Sequence, residues 1–157
     1  MSDPGTAAAT PSNADKPTKA IRMVCSFDGD QVTVLSSQSV EMMLPHSDPV
    51  EGTDSQKGFW FDLRDAQDRP LYRKVMHNPL RDDVEVFSDK PHEHSVARHT
   101  VAKRTGVFVV LVPDTDSGHT VTLSSSPGAS TAAAGGLAGM ALANQPAQVI
   151  ARFPLKK

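Results

Sequence analysis

Two histidines two residues apart, His92 and His94, are the most direct candidates for chemistry in this chain. In an extended segment they share one face, which is how a strand presents two ligands to zinc or copper. His99 has the opposite parity and needs a bulge or bend to join them. No second His or Cys pair at ligand spacing lies nearby in sequence. A single His-x-His is a motif of low specificity, and a solvated polar loop is its ordinary reading.

Asp114-Thr115-Asp116-Ser117-Gly118 resembles the opening of a calcium loop. An EF-hand loop requires Gly at position 6 and Glu at position 12. Here those places hold His119 and Ser125, so the segment reads as an Asp/Gly strand connection. Serine, histidine and aspartate are plentiful, but no Gly-x-Ser-x-Gly elbow occurs and nothing pairs a nucleophile with a base. Catalysis is therefore not expected. The single cysteine, Cys25, excludes an intrachain disulfide. It alternates with Ile21, Met23 and Phe27, which makes it a core thiol.

A fourth set comes from the stretch Gly58–Val86. Phe59-Trp60-Phe61-Asp62-Leu63-Arg64 alternates strictly, with Phe59, Phe61 and Leu63 on one face and Trp60, Asp62 and Arg64 on the other. Asp65 to Pro70 supplies turn chemistry, and Leu71–Met76 returns as a second strand. The outward side of this hairpin is predicted to carry Trp60, Arg64, Tyr72 and Arg73, the residue types of a protein or carbohydrate contact surface. The competing reading buries Trp60, as is usual for a large aromatic. Gly135 and Gly139 have Gly-x-x-x-Gly spacing, which carries meaning only inside a spanning apolar segment.

These candidates need elements to position them. The chain has 157 residues, twelve Pro and ten Gly, consistent with one domain of many short elements. Residues 1–19 lack apolar periodicity and read as a disordered tail. From Ala20, Ile21–Phe27 and Gln31–Leu35 form strands joined by an Asp-Gly turn. Ser36–Ser39 is expected to kink the path before Val40–Leu44 resumes it. Pro45–Lys57 is a long polar loop. Val84–Phe87 is a further strand, and Ser95–Lys103 a weaker one. Val107–Val112 is apolar on both parities and is predicted to be a central strand covered on both faces. His119–Leu123 follows, then an uncharged Ala/Gly-rich loop over 124–147, then a closing strand from Gln148.

The pattern predicts an all-β, antiparallel β-sandwich of immunoglobulin-like size, with the low-complexity insertion before the last strand. A small barrel is the alternative. The formal net charge of −2 and pI near 6.3 do not favour nucleic acid. No apolar run approaches the length of a membrane span. The N-terminus lacks a basic-then-apolar secretory pattern, so cytoplasmic placement is expected, with non-classical export left open.

GFWFDLRDAQDRPLYRKVMHNPLRDDVEVF, with GVFVVLVPDTDSGHTVTL and the terminal IARFPL, is similar to a group of small uncharacterised bacterial β-sandwich proteins. The resemblance spans Ala20–Ser124 and the last strand. It implies a bacterial origin and a single sandwich, and no activity or site residues. The function expected is a non-enzymatic binding module without a cofactor, acting on a protein partner or by self-association. The alternatives are a metal-binding protein using His92 and His94, or a carbohydrate-binding module using Trp60 and Tyr72.

Overall fold

The computed structural model describes residues 19–51, 56–80, 83–87, 96–100, 102–126 and 146–155. They form nine strands and no helix: β1 (Lys19–Asp28), β2 (Gln31–Glu41), β3 (Phe59–Arg64), β4 (Pro70–Met76), β5 (Asp83–Phe87), β6 (Val96–Thr100), β7 (Thr105–Pro113), β8 (Thr120–Ser125) and β9 (Gln148–Pro154). Of the tail expected over 1–19, residues 1–18 lie outside the described residues and Lys19 opens β1; most of the Ala/Gly-rich loop lies outside them too. So do His92 and His94.

β1 and β2 form a hairpin because their apolar residues alternate and Gly29 closes the turn with φ of 61°. The serine-rich stretch does not kink the path as predicted. β2 runs unbroken to Glu41, because β1 supplies backbone partners whatever the side chain, with Ser36 opposite Val24 and Gln38 opposite Arg22. The interruption falls one residue earlier. Val24 pairs with Ser36 and Cys25 with Val34, leaving Leu35 as a bulge.

The β3–β4 turn is organised by one carboxylate. Asp65 Oδ1 accepts the Gln67 and Arg69 amides, each at 2.9 Å, and Oδ2 accepts Arg69 Nε at 2.8 Å. These bonds, the Arg69 amide foremost, hold the Asp65 carboxyl below the ordinary carboxylate range. Asp68 completes the reversal at φ of 62°, the left-handed region that aspartate tolerates better than most residues.

The strands pair antiparallel in two principal sheets, ordered β2-β1-β7 and β4-β3-β8-β9, with β5 and β6 as a separate pair. Ile21, Met23, Cys25, Phe108, Val110 and Val112 of the first sheet meet Phe59, Phe61, Leu63, Val121 and Leu123 of the second in one core. Phe59 and Phe108 join the layers edge to face, their ring centroids 6.3 Å apart. Two facing sheets with separate edges are the arrangement of a β-sandwich.

β7 departs from expectation. It pairs with β1 alone, so it is an edge strand among the described residues and not a central one. Phe108, Val110 and Val112 enter the core, while Val107 and Val109 are 63% and 40% exposed on the outer face. An apolar run on both parities here marks an uncovered face.

Candidate functional site

The predicted contact surface on the β3–β4 hairpin does not assemble. Trp60, Asp62 and Arg73 are wholly buried, each with 0% exposure, although they lie on the face opposite the core. β3 and β4 place Asp62 opposite Arg73. Arg73 Nε donates to Asp62 Oδ1 at 2.6 Å and its Nη2 donates to Oδ2 at 3.1 Å, a bidentate charge pair. The Arg73 guanidinium also sits 5.7 Å from the Trp60 ring centroid. Arg64 Nη2 donates to Asp62 Oδ2 at 3.0 Å and its Nη1 donates to the Asp68 carbonyl at 2.9 Å. Arg152 of β9 then reaches Asp68 Oδ1 at 3.0 Å. Charge thus alternates from the buried Arg73 outward to Arg152.

Tyr72 belongs to the other face. It opposes Leu63, its ring centroid lies 6.4 Å from that of Phe61, and its hydroxyl donates to the Pro45 carbonyl at 3.1 Å. Burial, helped by the Asp48 carboxylate, raises its phenol above the ordinary value. Trp60 and Tyr72 therefore point to opposite sides of one sheet and share no sugar-stacking platform.

Other candidates fare as follows. Asp114 ties strand ends together, its amide donating to the Lys19 carbonyl at 3.0 Å and its Oδ2 accepting Ser39 Oγ at 2.6 Å. Among the described residues no group of three or more His, Cys, Asp or Glu could hold a metal ion. A cleft of about 410 Å³ includes Asn78, Leu80, Arg104 and Gln148 in its lining. Its Arg104 is already engaged by Asp30 Oδ1 at 2.6 Å and the Leu80 carbonyl at 3.0 Å. No helix of the described residues is long and apolar enough to cross a membrane.

The sheet edges are more informative. An open edge offers unpaired backbone groups to another chain, and proteins blunt it with bulges, charge, proline or a covering loop. β2 carries the Leu35 bulge. β4 carries a bulge at Leu71, between the Leu63–Tyr72 and Arg64–Pro70 pairs, and a loop also covers it. There the Asp48 amide donates to the Arg73 carbonyl at 2.8 Å, and the Arg73 amide donates to Ser47 Oγ at 3.0 Å. β9 is bulged at Ile150, and it carries Arg152 and ends at Pro154. Of the four edges of the two principal sheets, β7 alone carries no bulge among the described residues, pairing from Ala20–Pro113 to Asp28–Thr105, although it too ends at a proline, Pro113. Its outer face carries Val107, Val109 and Leu111.

The loop on β4 has a pH signature. The Val75 amide donates to Asp48 Oδ2 at 2.8 Å and Lys74 Nζ donates to Oδ1 at 3.0 Å. These bonds, the Val75 amide foremost, hold the Asp48 carboxyl below its ordinary value. A lowered folded-state value contributes stability that is present above the unfolded-state value, about 3.9, and lost as pH falls through the folded one. Asp48→Asn is expected to cost on the order of 1 kcal/mol or less at neutral pH. Its deficit against wild type should shrink in acid. Equal deficits in thermal melts at about pH 7 and about pH 2 would contradict this role for the carboxylate.

No protein-family model, no curated protein and no solved structure matches the chain.

Proposed function

We propose that this protein is a non-enzymatic interaction module that binds another polypeptide by strand addition along β7. One observation carries the reading: β7 is the only edge of the two principal sheets, among the described residues, with neither bulge nor covering loop. Its backbone would provide the main-chain bonds of an added strand, and Val107, Val109 and Leu111 the apolar side-chain contacts. The immunoglobulin-like label describes this sandwich in size and layering. Its seven principal strands divide three and four, β2-β1-β7 and β4-β3-β8-β9, where an immunoglobulin constant domain groups its first two and fifth strands with the fourth.

The test compares full-length wild type with Val109→Lys as bait in native-host extract. Val109 faces outward, 40% exposed, so the variant is expected to keep the fold while placing a charge beside the edge. One stoichiometric polypeptide captured by wild type and lost from the variant is the expected result. Capture unaffected by the substitution, or no capture at all, would remove β7 as the binding edge.

A further inference from the structure

We propose that the strand accepted by this edge is β7 of a second copy of the chain, antiparallel, on a two-fold axis through Val109. The proposal rests on the reading of β7 as a binding edge and names its occupant. Apolar outer-face residues, Val107 and Leu111, flank Val109 at equal spacing. Antiparallel pairing with Val109 opposite its own copy sets Val107 against Leu111 at both ends. That register sets the whole of Thr105–Pro113 opposite the second copy, Pro113 offering its carbonyl but no N–H, whereas shifting it leaves more of the strand ends unpaired.

The flanks select the same direction. Lys103 and Arg104 precede β7, and Asp114 and Asp116 follow it. A two-fold antiparallel pair brings Arg104 opposite Asp114 of the second copy, twice over, whereas a parallel pair would stack like charges. The ion-pair partners of the two basic residues are exposed and exchangeable, and Arg104 holds the Leu80 carbonyl at 3.0 Å besides. Lys103 meets Asp28 at 3.2 Å with both side chains more than 60% exposed, and Asp30 beside Arg104 is 89% exposed. Such an interface is isologous, and it would extend the three-stranded sheet across the axis into six strands.

Cysteine cross-linking reads the register directly. Directly opposed residues in an antiparallel pair lie about 4.5–5.5 Å apart at Cα, within the reach of a disulfide. Val109→Cys is therefore expected to form a covalent dimer under mild oxidation by oxidised glutathione. Val107→Cys would meet its own copy only at roughly 13 Å, four residues away along the strand, and should stay monomeric unless mixed with Leu111→Cys. The native thiol does not interfere, since Cys25 is buried and burial pushes its pKa up to about 11.

Sedimentation of the full-length protein completes the test. Wild type should show a concentration-dependent monomer–dimer equilibrium, moved at least about tenfold toward monomer by Val109→Lys. Cross-linking of Val109→Cys no faster than Val107→Cys overturns the proposal. So does a wild type that is monomeric at every concentration. If wild type is monomeric while Val109→Lys still abolishes capture of a different polypeptide, the second copy is wrong and the β7 edge stands. If that capture is insensitive as well, both fall. Should Val109→Lys fail to fold, the cysteine pair decides alone.

Discussion

Asp62→Ala is expected to destabilise the protein by about 3–5 kcal/mol, the cost typical of removing one partner from a buried ion pair. Arg73 has no exposed surface, and the lost carboxylate bonds two of its guanidinium nitrogens. The substitution leaves a cation in a site from which water is excluded, and it also removes the carboxylate facing Arg64. The loss thus exceeds that of an exposed salt bridge, which is worth about 0–1 kcal/mol. Replacing both partners, Asp62→Leu with Arg73→Met, should recover most of it, since a buried pair exchanged for apolar groups of similar volume is often neutral or better. Urea unfolding of the single and double variants checks this. A single-variant loss below about 1 kcal/mol would show that Arg73 finds other anchorage.

Leu63→Ala is expected to cost about 2–5 kcal/mol, and part of that should be recoverable from the turn that leads into the neighbouring strand β8. Leu63 is fully buried. A Cβ built on Gly118 would lie 3.0 Å from Leu63 Cδ1 and 3.1 Å from Cδ2, tighter than ordinary contact. Gly118→Ala alone should therefore cost stability through crowding. With Leu63→Ala the two Leu63 methyls are gone and the added methyl occupies part of the space they leave. The double variant should be more stable than the sum of the two single losses predicts, by about 0.5 kcal/mol or more. Strict additivity in denaturant midpoints would mean that the two positions do not share space.

Much of the architecture is legible in the sequence where alternation and burial coincide. Ile21–Phe27 and Phe59–Arg64 announce their strands through period-2 spacing, and the Asp-Gly turn joins β1 to β2 as expected. Alternation fails to locate the site because it reports on one strand at a time. β7 looks central because Val107, Val109 and Leu111 are apolar, yet whether a second strand lies alongside depends on the whole sheet. Tyr72 falls on the core face since the β3–β4 register, displaced by the Leu71 bulge, decides which residues oppose which. The Asp62–Arg73 pair was within reach. Opposite charges mirrored about an Asp-rich turn are a cross-strand signal, and the face they share is covered rather than outward. Bulges at Leu35, Leu71 and Ile150 leave no such mark, being single extra residues visible only against a partner strand.

The pairing of β1 with β7 carries a consequence for how the chain comes to be folded. Thr105, the first residue of β7 to emerge, has its partner Asp28 far behind it, and Pro113 must find Ala20 further back still. The β1–β2 and β3–β4 hairpins close locally, and an isolated hairpin needs about 1–10 μs. The first sheet, however, cannot be completed until more than two thirds of the chain has been made, because its third strand is Thr105–Pro113. Closing so long a loop is entropically expensive and slows the acquisition of native structure. During synthesis the β1–β2 hairpin must wait with Ile21, Met23 and Cys25 uncovered. Nascent chains in that state are exposed to misassociation, so the yield of folded protein should depend on the rate at which the middle of the chain is translated.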